Sequence, residues 1–119
     1  MRLTELEPQF VRAELTRVLP TDPWRETMLY VGTLAEAQGV LFDCPTRGCS
    51  HRILVWFSDR GVPPECTPSP RWAASGSGYD DLTLAPSIDI SRDKEGRPMF
   101  CEGGRPGWHG FITNGEVAP

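Results

Sequence analysis

The chain has 119 residues, of which 39% are hydrophobic and 24% charged, the balance of a soluble globular protein that can bury one core as a single domain spanning 1–119. A formal charge of -4 at pH 7 and an isoelectric point near 5.1 argue against a nucleic-acid binder, because neutralising a phosphate backbone needs a basic face; Arg47, Arg52, Arg60 and Arg71 offer at most a local patch. No apolar run approaches the roughly 18 residues of a membrane span, and the opening MRLTELEPQF lacks the apolar block of an export signal. The expectation is a cytoplasmic protein with no membrane partner, and in that reducing setting its 4 cysteines read as thiols or metal ligands rather than disulfides.

With 12 glycines and 12 prolines, the elements must be short. EPQFVRAELTRVLP mixes β-branched and aromatic residues with charges and reads as a short strand, a helical turn being the competing reading. TLAEAQG predicts a short helix, with Thr33 as cap, Glu36 closing the box and Gly39 stopping it. GVLFDCP follows as a buried strand into Cys44. HRILVWFS is the strongest strand: Ile53, Val55 and Phe57 alternate with Leu54 and Trp56, so both faces are apolar and the strand should be central.

Residues 59–81 are so rich in Pro, Gly and Ser that they predict a long irregular loop, a lid or substrate rim. DLTLAPSIDIS is a strand interrupted by Pro86, which puts Pro86 and Ser87 at an edge or a bulge. KEGRP is a turn and PMFC a short strand into Cys101. In HGFITNGEVAP, Asn114-Gly115 after an apolar run is the best hairpin signal in the chain. The sum is an α+β domain, mostly β, with five or six short, largely antiparallel strands and one short helix.

CPTRGCSH spaces Cys44 and Cys49 around a proline and a glycine, with His51 two residues on. Four residues separate the cysteines where the strict zinc knuckle has two. Cys101, also at the end of a predicted strand, supplies a third thiolate, and His51 or His109 the fourth ligand. A structural zinc ion held by Cys44, Cys49, His51 and Cys101 would tie two loops together and contribute directly to folding. Against it stands the ordinary tendency of free cysteines to fill a small core. Cys66, with no histidine near it in sequence, reads as a loop thiol.

His109, between Trp108 and Gly110-Phe111, is either a half-buried packed ring or a proton carrier. Only His51 and His109 have an unperturbed pKa suited to proton transfer near neutrality, and His51 stands among the thiols, which leaves His109 as the base. Ser87, following a proline, is the matching nucleophile. Asp81 or Asp89 is available to orient the imidazole, and Gly103, Gly104 and Gly107 would let N–H groups approach an oxyanion or simply serve turns.

LTELEP, GVLFDCP, ILVWFSDRGVP, WAASGSGYDDLTLAPSI and GWHGFITNGEV together resemble domain-of-unknown-function family 6527, small phage and bacterial proteins, over nearly the whole chain. The chain departs from the pattern where EGGRPGW lengthens the gap between Cys101 and His109. The resemblance implies a peptidase acting on ubiquitin-like proteins through a serine: Ser87 as nucleophile, His109 as base, Asp81 as the carboxylate and the cysteine pair in a structural metal site. A thin C-terminal tail would then pair with an open edge near Pro86. Two other readings stay open. One is a non-catalytic, zinc-stabilised phage protein that binds a host or virion partner through Trp72, Trp108 and the long loop. The other is a metallohydrolase using a glutamate such as Glu102, for which the chain has no HExxH pair.

Overall fold

The computed structural model describes residues 1–93, 95–101 and 104–119. Among them are one 3-10 turn, η1 (Leu3–Leu6), and eight strands: β1 (Gln9–Thr16), β2 (Arg25–Val31), β3 (Gly39–Asp43), β4 (Arg52–Phe57), β5 (Arg71–Ser75), β6 (Thr83–Asp89), β7 (His109–Thr113) and β8 (Glu116–Ala118). They join in one sheet of order β2-β1-β3-β4-β5-β6-β7-β8. Every pairing is antiparallel except β4 with β5, a short parallel link through Trp56↔Arg71 and Phe57↔Trp72.

That link divides the sheet into two halves which share a core. Phe10, Val40, Phe42, Ile53, Val55 and Phe57 from one half cluster with Leu84, Ile88, Ile112 and Val117 from the other. Phe42 meets Trp108 edge-on at 6.3 Å, and each fully buried phenylalanine contributes about 2 kcal/mol of apolar burial. The backbone closes the same way: Leu3 N–H donates to Gly115 at 2.8 Å and Val117 N–H to Met1 at 2.8 Å, so η1 sits against the β7–β8 hairpin.

The alternation in β4 works as the sequence predicts. Ile53, Val55 and Phe57 enter the main core, while Leu54 and Trp56 face a second cluster with Val11, Leu41 and Cys66. β3 is buried as expected, and Asn114-Gly115 turns the β7–β8 hairpin with φ of 50° and 76°, the left-handed pair that such a turn requires.

The short helix at 33–39 does not form, so the chain is a β protein rather than α+β. Thr33 and Glu36 make half of their box: Glu36 N–H donates to Thr33 Oγ1 at 3.3 Å, and the Thr33 hydroxyl donates to the Glu36 carboxylate at 2.7 Å. Two residues on, the chain is already committed to the sheet: Gln38 N–H donates to Val11 at 2.8 Å and its carbonyl accepts from Phe57 at 2.8 Å. The chain therefore extends after a single turn. The strand count also exceeds the five or six expected. β2 was not foreseen, and β5 lies inside the stretch 59–81 that was expected to be irregular.

The first part of that stretch packs as a strap. Arg71 donates to the carbonyls of Pro63, Cys66, Pro68, Ser69 and Pro70, and Trp56 Nε1–H donates to Thr67 at 2.9 Å. The expected strand at PMFC is reduced to two isolated bridges, Arg92↔Pro98 and Phe100↔Pro106. The KEGRP turn includes Lys94, which lies outside the described residues. No helix among the described residues is long and apolar enough to cross a membrane.

Candidate active site and metal cluster

Strand alternation sets the first site. Along β6, Ile88 is fully buried while Ser87 and Asp89 point to the opposite, outer face; along β7, Gly110 and Ile112 are buried while His109 and Phe111 point outward. The strands are antiparallel neighbours, and Ser87 Oγ lies 3.2 Å from His109 Nε2. Of the two readings of His109, the half-buried packed ring does not hold: the ring is exposed, and the buried aromatic is its neighbour Trp108.

Ser87 stands in a bulge. The register runs from Leu84↔Ile112 directly to Ile88↔Gly110, so Ala85, Pro86 and Ser87 face Phe111 alone. Proline has no N–H to continue a ladder, which makes the irregularity legible in the sequence. β6 is nevertheless an interior strand between β5 and β7. The open edge expected near Pro86, where a tail would add as a strand, is absent.

The two candidate carboxylates separate. Asp89 is the ladder partner of His109. Its Oδ1 accepts from the Ser91 hydroxyl at 2.5 Å and the Ser91 N–H at 2.8 Å. Those bonds hold its carboxyl below the usual range, and the nearby His109 lowers it further. Asp81 precedes β6 and is occupied locally: it accepts from Ser77 N–H, Ser77 Oγ and Gly78 N–H, each at 2.9 Å, with its pKa lowered mainly by the Ser77 backbone bond. Asp81 closes a loop and has no described contact with His109.

The glycines offered as oxyanion donors are also accounted for. Gly104 N–H donates to Cys101 at 3.2 Å and Gly107 N–H to Met99 at 2.9 Å, while Gly103, like Glu102, lies outside the described residues. Trp72 and Trp108 are only 8% and 9% exposed. Core residues of this kind cannot be the exposed anchors of a binding surface.

The second site forms where the β3–β4 turn meets the long connection from β6 to β7. Cys44, Cys49, His51 and Cys101 each offer one donor atom, all within 4.8 Å of one another. Cys44 and Cys101 sulfurs are 3.7 Å apart, and Cys49 Sγ is 2.6 Å from His51 Nδ1. With Zn–S near 2.3 Å, a tetrahedron spaces its donors by about 3.8 Å, close to the Cys44–Cys101 separation, and three thiols and an imidazole gathered this closely could bind a metal ion such as zinc. Burial pushes the Cys44 thiol up to about 11. The histidine of this cluster is His51; His109 faces the other site. Cys66 is buried beside Trp56, its thiol raised by that burial.

A serine hydroxyl and an imidazole on adjacent strands, with a carboxylate opposite the ring, supply the side-chain types that acyl transfer uses. The family model described as "Bacterial ubiquitination-like system serine protease (BubE)" matches residues 15–119, and the chain belongs to that family. This is a serine protease family of bacterial ubiquitination-like systems, in agreement with the expected link to ubiquitin-like pathways, although it is not the family-6527 label that the sequence resemblance suggested. No curated protein and no solved structure matches the chain.

Proposed function

We propose that the chain is a serine hydrolase that cleaves at the C-terminal tail of a ubiquitin-like protein, maturing it or releasing it from a conjugate, with Ser87 as nucleophile and His109 as base. The 3.2 Å approach of Ser87 Oγ to His109 Nε2 carries this reading, and the family membership supports it. The tail lies across the outer face of β5–β8. The exposed side chains there include Ala73, Ala85 and Ala118, small enough to let an extended backbone come close to the sheet.

Ser87 Oγ attacks the scissile carbonyl carbon as its proton passes to His109 Nε2. The tetrahedral oxyanion collapses, expelling the leaving group, which takes that proton and leaves an acyl-Ser87 ester. Water then gives a proton to His109 and attacks the ester; Ser87 recovers the proton and the free carboxylate departs. With Nε2 accepting from Ser87, the ring proton sits on Nδ1, and the Asp89 charge stabilises the imidazolium formed at each attack. Asp89 takes the role that the resemblance implied for Asp81. Ser87 N–H, which has no register partner on β5 or β7, would serve as the oxyanion donor.

Cys44, Cys49, His51 and Cys101 would hold zinc as a structural tie. The tie fixes the connection between β6 and β7 and takes no part in the proton transfers.

The test is a ubiquitin-like protein carrying a short C-terminal extension. The wild-type chain is expected to remove the extension and Ser87→Ala to leave it intact. Equal cleavage by the two would overturn the assignment.

A further inference from the structure

In the bulge of β6, two residues lose their ladder. The last β5–β6 pair is Ala73↔Ala85, and the β6–β7 register resumes only at Ile88↔Gly110, so neither Pro86 nor Ser87 has a register partner on either side. A carbonyl left over in a bulge needs another donor, and a residue without ladder bonds is otherwise free to shift. The Ser87 carbonyl has such a donor: Trp72 Nε1–H, at 3.2 Å.

Trp72 is well placed to act as a fixed point. Its side chain is buried in the main core, and its own carbonyl accepts from Ser58 N–H at 2.8 Å, beside the Phe57↔Trp72 pair that joins the two halves of the sheet. The indole thus ties the irregular part of β6 to the junction between the two halves of the sheet. We infer that Trp72 is a positioning residue, whose N–H holds the Ser87 backbone so that the hydroxyl meets His109. The inference rests on the reading of Ser87 as nucleophile. It gives the buried nitrogen of Trp72 a role that apolar packing does not require. A displacement of the nucleophile by a fraction of an ångström is enough to slow attack while leaving the base unchanged.

The test uses the full chain with Trp72→Phe, which keeps an aromatic ring and removes the N–H. Replacing Trp72 site-specifically by 3-benzothienylalanine keeps the indole shape without the donor, and serves if the smaller ring destabilises the core. A fluorophosphonate is the probe, and the adduct on Ser87 is followed by peptide mass spectrometry to give kinact and KI. The expected result is a kinact about tenfold lower per folded molecule, with KI and the pH profile of labelling unchanged, since His109 is untouched. A kinact equal to wild type in the folded fraction overturns the inference, whatever happens to Tm. Absence of any Ser87 adduct on the wild-type chain, while a control serine hydrolase is labelled, overturns the nucleophile reading and this inference with it. Normal labelling of both wild type and variant removes only the role of Trp72.

Discussion

The chain contains two histidines, and the structure uses their surroundings to give them opposite chemistry. His51 follows a tight turn, where its Nδ1 lies 2.6 Å from Cys49 Sγ and within reach of two more sulfurs. His109 opens a strand, where alternation exposes its ring and antiparallel pairing brings a hydroxyl to 3.2 Å. A turn can converge several donors on one point, which suits a metal ion. A ladder instead sets one partner opposite another in a fixed register, which suits directed proton transfer. The same side chain is a candidate metal ligand in the first setting and a candidate base in the second.

Exchanging the losses is the strongest way to break this comparison. His109→Ala is expected to lower hydrolysis by at least about a thousandfold with Tm unchanged, because the ring is exposed and supports no core packing. His51→Ala, or removal of metal with a chelator, should do the reverse: Tm falls by about 10 °C or more while the remaining folded fraction stays active. Thermal unfolding read beside turnover decides both. A catalytic defect in His51→Ala without loss of stability would merge the two sites into one.

A smaller effect sharpens the second half of the contrast. Asp89→Asn keeps the size of the side chain opposite His109 but removes its charge, and is expected to reduce turnover about a hundredfold through a less stabilised imidazolium. Asp81→Asn should leave turnover near wild type, because that carboxylate serves only the Ser77–Gly78 loop. Steady-state rates of the two variants measured together separate the carboxylates.

The smallest effect is electrostatic. Ser91→Ala removes the hydroxyl that lowers the Asp89 pKa, which returns toward 3.8. A carboxyl depressed in the folded state adds stability above its unfolded value and loses it as pH falls through the folded one. The variant should therefore match wild type in stability above about pH 5 only to within a small constant offset, and should lose less stability than wild type on further acidification. Denaturant midpoints measured at pH 6 and at pH 3 test this.

Much of this arrangement was legible in the residues. Period-two alternation around Trp56 located β4, Asn114-Gly115 located the last hairpin, and Pro86 announced the bulge that carries Ser87. The cysteine spacing pointed to the cluster even with four residues between Cys44 and Cys49. What escaped has physical reasons. β2 is exposed along nearly its whole length, so RETMLYV shows no buried stripe to betray a strand. β5 is short, lies between a proline-rich strap and a glycine turn, and is recognisable only once β4 and β6 are beside it. The helix signal at Thr33 was real locally but lost to the hydrogen bonds that the sheet offers Gln38. Asp89 could have been preferred over Asp81 on alternation alone, since residues two apart on a strand share a face and Asp89 follows Ser87 at that interval.

The central claim is that Ser87 is activated by His109, and intact and peptide mass spectrometry after fluorophosphonate treatment tests it most directly. The account predicts a single adduct on Ser87 in the wild-type chain, lost in His109→Ala and retained in His51→Ala as long as that variant is folded. An unlabelled Ser87, or labelling that persists undiminished without His109, would contradict it.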